Sequence, residues 1–255
     1  MDKVINLGIP HAGELIFESI DTPGLIQCAL VSETWKVLAE NVLAKRWKGN
    51  MLEACEDGET KVVQLLLERF TFEENGLNIK DELGHTPFLA ACAHGHKDVV
   101  QLLLDKSEGN INLNARNVWG ETALVLACRG GHTGIVQLLL ESSDTIEVDA
   151  RAKCGSTALI FACYRGHKQI VKLLLDYSDK IDLNASDNYG MTVLMEACFH
   201  GDKDIVKLLL NQADKTIGLN MNARDISGRT ASDWANKGLN YGARGQIVKL
   251  LLEHS

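Results

Sequence analysis

The sequence predicts an all-α fold: an α-solenoid of stacked helix pairs joined by short β-hairpin turns, preceded by a three-helix N-terminal unit. Three observations lead there. First, the segments "GHTPFLAACAHGHKDVVQLLLD", "GETALVLACRGGHTGIVQLLLE", "GSTALIFACYRGHKQIVKLLLD" and "GMTVLMEACFHGDKDIVKLLLN" repeat one pattern. Their threonines Thr86, Thr122, Thr157 and Thr192 are spaced by 36, 35 and 35 residues, and a fixed period of this size marks a repeat architecture. Second, apolar residues within each copy recur at helical spacing. Third, residues 1–48 break the period but carry short helical patterns of their own.

Each repeat reads in the same order. Thr86-Pro87 opens an inner helix, because Thr caps a helix start and Pro fits its first position. Residues 88–94 follow, and Gly95 ends the helix, being at ease in the left-handed conformation found there. "HKDVVQLLLD" is an outer helix, apolar over more than half its circumference, so it needs a neighbour on both sides. "NARNVWG", "NASDNYG" and "NARDISG" place Asn or Asp shortly before Gly, as tight turns do. The repeats then run 81–116, 117–151, 152–186 and 187–224. A half repeat at 50–80 precedes them and a degenerate repeat at 225–255, marked by Thr230, follows. The last helix, "GQIVKLLLEHS", is as apolar as the internal ones, which predicts that more chain or another molecule covers it.

The period also disposes of a tempting metal site. Cys92, His94, His96 and Asp98 crowd one stretch, but Cys92 recurs as Cys55, Cys128, Cys163 and Cys198. A position that repeats along a stack is a packing position, whereas zinc needs ligands converging on one point. Free Cys there acts as a small buried hydrophobe. No metal or cofactor is expected. Cys154 alone should sit on a turn tip, outside the packing register.

Turn, helix, loop, helix with the T-P-L-H-x-A-A-x-x-G-H pattern resembles the ankyrin repeat, over about 50–255. The resemblance implies an interaction surface lined by turn tips and by the variable positions of the inner helices. Here those positions supply Trp119, Arg129, Phe161, Tyr164, Arg165, Tyr189, Phe199 and Trp234. Six of the chain's fourteen aromatics fall in this set, and aromatics with Arg dominate interface energetics. The set is therefore the expected partner site. Two departures stand out. The family's inner-helix histidine, which tethers neighbouring turns, is replaced by Leu89, Val125, Ile160, Met195 and Asp233, so apolar packing should take over its role. The period also exceeds the usual ~33 residues, and the surplus lies between the outer helix and the turn.

Residues 1–48 carry Pro10, a Glu14-Leu15-Ile16-Phe17 run, Leu25, then Val31-Ser32, Trp35, Leu38 and Arg46-Trp47. This order resembles an F-box, whose apolar helices dock on the linker subunit of cullin-type ubiquitin ligases. The resemblance assigns that contact to Ile9, Pro10, Leu15, Ile16, Leu25 and Val31. It implies a non-catalytic adaptor, the substrate-recognition subunit of such a ligase, with an unidentified target protein held by the repeats. The alternative is a plain ankyrin scaffold or inhibitor in which 1–48 caps the stack.

The chain as a whole fits these readings. An excess of eight negative charges argues against nucleic acid. No apolar run nears a membrane span. Without a secretory leader pattern the expected location is cytoplasm or nucleus. No phosphate loop, HExxH helix or nucleophile set stands outside the repeat register, so no enzyme is expected.

Overall fold

The computed structural model describes residues 51–69, 76–106, 109–213, 218–238 and 240–254, together with residues 20, 21, 24, 25, 37–39, 41 and 42. Among the described residues six helix pairs follow one another. They are α1 (Met51–Glu56) with α2 (Thr60–Arg69), α3 (Pro87–His94) with α4 (Lys97–Lys106), and α5 (Ala123–Gly130) with α6 (Thr133–Ser142). Next come α7 (Ala158–Tyr164) with α8 (Lys168–Leu175), α9 (Val193–His200) with α10 (Lys203–Ala213), and α11 (Ala231–Lys237) with α12 (Tyr241–Glu253). The first helix of each pair packs on the first of the next, and the second on the second, giving two layers of helices around one continuous core.

The helix boundaries follow from the sequence. The Thr86, Thr122, Thr157, Thr192 and Thr230 hydroxyls accept the N–H three residues on, that of Leu89, Val125, Ile160, Met195 and Asp233. Each satisfies a donor that a helix start leaves bare. Gly95, Gly131 and Gly201 end inner helices at φ between 72° and 82°. They carry a second constraint from across the repeat boundary. His96 donates from Nε2 to the carbonyl of Glu56 at 2.7 Å, and His132 to that of Ala93 at 3.1 Å. In these positions the two rings lie directly over Gly58 and Gly95.

The five repeat-position cysteines are buried between the layers. Burial pushes the thiols far up, so they remain protonated. His94 turns its Nδ1 to the carbonyl of Ala90 and His96 reaches Glu56, so neither ring converges on Cys92.

The hairpin tips depart from expectation. They are tight turns without a strand ladder; among the described residues a single bridge, between Ser186 and Thr192, is β-like. The tips are nonetheless joined. Val118 N–H donates to Leu83, Lys153 to Trp119, Asn188 to Cys154 and Ile226 to Tyr189, each at 2.8–3.0 Å. Arginines strengthen the same edge. Arg116 spans the carbonyls of Gly120 and Arg151, and Arg151 reaches that of Ser186. Leu89, Val125, Ile160 and Met195 are buried as expected, but the turn-to-turn tethers are these backbone and arginine bonds.

The lengthened loops are anchored in turn. Ile111, Ile146, Ile181 and Leu219 tuck into the core behind the outer helices. Asn114 holds its loop to the next, donating from Nδ2 to the Thr145 carbonyl at 2.8 Å and accepting from Glu147 N–H at 3.0 Å. Asn184 repeats this with Gly218 and Asn220.

Of the F-box contact set, Ile9, Pro10, Leu15, Ile16 and Val31 lie outside the described residues. Leu25 is described and is 0% exposed, within the same core as Met51 and Ala54. Ala39 and Val42 are buried there too. Among the described residues no helix is long and apolar enough to cross a membrane.

Candidate functional site: an aromatic pocket

Inner helices and turn tips together line a pocket of about 420 Å³ in the C-terminal half of the stack. Its rows follow the repeat. Four residues after each capping threonine stand Ala90, Leu126, Phe161, Glu196 and Trp234. The first two are buried; the last three line the pocket. Seven residues after the cap come Tyr164 and Phe199, and Tyr189 stands on the tip before α9, 65% exposed. The pocket thus combines five of the six aromatics singled out in the sequence.

The rings are ordered by their contacts. Phe199 meets Trp234 edge to face with centroids 5.1 Å apart, and His200 meets Tyr164 likewise at 5.1 Å. Such T-shaped pairs are favourable arrangements for the aromatic quadrupole. Arg229 lies over Trp234, its guanidinium carbon 3.9 Å from the ring centroid. Asp225 holds that arginine: its Oδ2 accepts Arg229 Nε at 2.8 Å and Trp234 Nε1 at 3.1 Å. Its Oδ1 accepts the N–H groups of Ser227 and Arg229. Asp187 performs the same turn-closing task for Tyr189 and Met191.

Glu196 stands apart. Its side chain is only 10% exposed, and its carboxylate takes no hydrogen bond from the described residues. His200 Nε2 lies 3.7 Å from Oε2. Burial, and then the charge of Asp187, pushes its pKa up to about 7. Burial lowers that of His200, so the imidazole is held toward its neutral form and gives little compensation.

The remaining members of the sequence-derived set lie elsewhere. Trp119 sits two turn tips toward the N-terminus, its ring 6.1 Å from that of His85. Arg129 is committed to Glu121, with Nη1 and Oε1 2.7 Å apart, and the Glu121 side chain is 3% exposed. Asn117 donates to the other Glu121 oxygen at 2.8 Å. Arg129 therefore serves a buried carboxylate rather than the pocket. Arg165 flanks it, 5.4 Å from the Tyr164 centroid. The set expected from the sequence leaves out Met191, Glu196, Asp225, Ile226 and Arg229, all of which line the pocket. The signal for the last three was the recurring turn aspartate and the residue beside each tip.

Comparison with known proteins agrees with this architecture. The family profile described as "Ankyrin repeats (3 copies)" matches residues 51–152 and 145–225. The ankyrin repeat domain of Bcl-3, a member of the IkappaB protein family, is 27% identical with a TM-score of 0.67, over 80% of this chain and 85% of that one. A chain from the complex of the predatory endopeptidase Bd0816 of Bdellovibrio bacteriovorus with the immunity protein Bd3460 is 25% identical. It has a TM-score of 0.65 over 80% of this chain and 97% of that one. The search of curated proteins by sequence returned no significant match. With the profile covering most of its length and the repeat geometry on every helix pair, the chain belongs to the ankyrin-repeat family, whose stacks are scaffolds for protein interaction.

Proposed function

We propose that this chain is a non-catalytic adaptor that grips a segment of a target protein in the aromatic pocket. The observation that carries it is the gathering of Phe161, Tyr164, Tyr189, Phe199 and Trp234 around one cavity on the turn-and-inner-helix face. An apolar cluster left open to solvent marks a binding surface. A non-catalytic role agrees with the chemistry at hand. The core thiols are protonated and enclosed, and Asp187 and Asp225 are occupied with closing turns. The finer role is substrate recognition for a cullin-type ubiquitin ligase, with residues 1–48 docking the linker subunit. Its support is the F-box-like order of Pro10, Leu15, Ile16, Leu25, Val31 and Trp35.

A pull-down with purified linker subunit tests the ligase role, using wild type and a Pro10→Ala/Ile16→Asp variant checked for folding by circular dichroism. Capture of the wild type alone supports it. A well-folded wild type that is not captured ends it.

The second reading is a scaffold or inhibitor capped by 1–48. Leu25, Ala39 and Val42 favour it, since all three are spent on the core shared with Met51 rather than offered to a partner. In that case a stack shortened to residues 49–255 loses stability without losing a partner.

A further inference from the structure

We infer that the pocket takes one basic side chain, lysine or arginine, from an extended segment of a partner protein, with Glu196 as its counter-ion. The inference rests on the pocket being the binding site proposed above and names what it selects.

The argument starts from what an occupant must do to Glu196. The carboxylate lies in a cavity that Phe161 of the preceding inner helix and Trp234 of the following one also line, with five aromatic rings in its wall. The carboxylate's one ion-pair neighbour among the described residues, His200 Nε2, stands 3.7 Å away, beyond hydrogen-bond distance. Any group that fills the cavity removes the remaining water from that carboxylate. A neutral apolar side chain would leave that charge without a partner or force it to take up a proton, a cost that grows as pH rises above 7. A cation reverses the sign, because ion pairing and ring faces then act together. Aromatic faces attract cations, and the long stems of lysine and arginine lie well against apolar walls.

The other charges around the cavity do not alter this. On the tip before α9, Asp187 is negative and adds to the attraction. On the next tip, Arg229 is positive but bound to Asp225 at 2.8 Å. At the C-terminal end of α7, Arg165 lies against Tyr164, flanking the pocket. On α9 itself, His200 is held toward neutrality by burial. Glu196 is the carboxylate left uncompensated. The site should also respond to pH. In the free pocket the Glu196 carboxyl titrates near 7, and a cation competes with that proton. Binding therefore strengthens as pH rises through 7 and weakens below it.

Selection of random peptides displayed on phage against the immobilised full chain, at pH 8, tests this. The expected result is a family of peptides sharing a lysine or arginine. Selected peptides are then titrated by calorimetry against wild type, Glu196→Gln and Tyr189→Ala, each checked by circular dichroism. Removing a charged partner should weaken the selected peptide roughly tenfold or more in Glu196→Gln. Replacing the shared basic residue by norleucine should weaken wild-type binding similarly and Glu196→Gln binding little. Separate lysine and arginine peptides show which cation fits better. Peptides that bind at the pocket with no shared basic residue, or that bind Glu196→Gln as tightly as wild type, overturn the inference while leaving the pocket a binding site. Peptides unaffected by Tyr189→Ala, or no enriched peptide at all, overturn the pocket reading as well.

Discussion

The imidazole of His132 lies so close over Gly95 that a β-carbon added to the glycine would stand 2.5 Å from its Cε1. The ring is fixed there by its bond to the Ala93 carbonyl. Gly95 also has φ +82°, which side chains disfavour. Gly95→Ala should therefore meet two penalties, left-handed strain and a collision, and lose about 2–4 kcal/mol in urea unfolding. Gly109 supplies the control. Its φ is +84°, but among the described residues no atom beyond its chain neighbours stands within 4 Å of the added carbon. Gly109→Ala should lose only the strain, about 1–2 kcal/mol.

Asp149 occupies the loop position where Asn114 and Asn184 bridge repeats. As a carboxylate it can accept but not donate. Its Oδ2 takes the Asp182 N–H at 3.4 Å, while Oδ1 is buried with no partner among the described residues. Asp149→Asn restores the missing donor and should add about 1 kcal/mol. The gain should depend on pH. Burial raises the Asp149 pKa, against the Asp182 N–H and the Arg151 charge. A raised carboxyl pKa means the native state prefers the protonated form. The variant's advantage is thus full above the raised pKa and shrinks as pH falls through it, as paired melting curves will show.

Glu196 places a related cost on the fold. Its pKa is raised from 4.5 to about 7, so ionisation in the native state is penalised. The stability difference between Glu196→Gln and wild type should grow as pH rises from about 4.5 to about 7 and then level off. Denaturant titrations at four pH values measure it. A difference that is flat, or that shrinks with pH, would contradict the burial of this carboxylate.

Asp225 organises the last repeat from a nearly inaccessible side chain, 1% exposed. Asp225→Ala strips the acceptor from Arg229, Ser227 and Trp234 at once. The loss should be about 3 kcal/mol and local. Amide exchange should speed up across 225–253 while the repeats from 81 to 186 keep their protection.

Most of the scaffold was legible in the sequence because each repeat states its own boundaries. Thr86, Thr122, Thr157, Thr192 and Thr230 cap helices where the period puts them, and Gly95, Gly131 and Gly201 end them. The positions of the pocket aromatics were legible for the same reason, since register along a stack converts directly into neighbourhood. Register could not show which charges are already spoken for. Arg129 belongs to Glu121 and Arg229 to Asp225 through side-chain choices that leave no periodic trace. Nor could it show that the tips are joined by backbone bonds without a strand ladder, because any residue but proline supplies the same N–H.

The side-chain and backbone bonds that join one repeat to another along the described stack reach only the adjacent unit, as the steps from Leu83 to Val118, Trp119 to Lys153 and Tyr189 to Ile226 illustrate. A chain of couplings of this kind behaves like a zipper, in which the end unit frays at little cost to the middle. The pocket, however, draws Tyr164, Glu196 and Trp234 from three successive units. An occupant touching both outer walls would splice the final tooth to one two places back. The free protein would then breathe at its C-terminal end, and its bound form would unzip as a single piece.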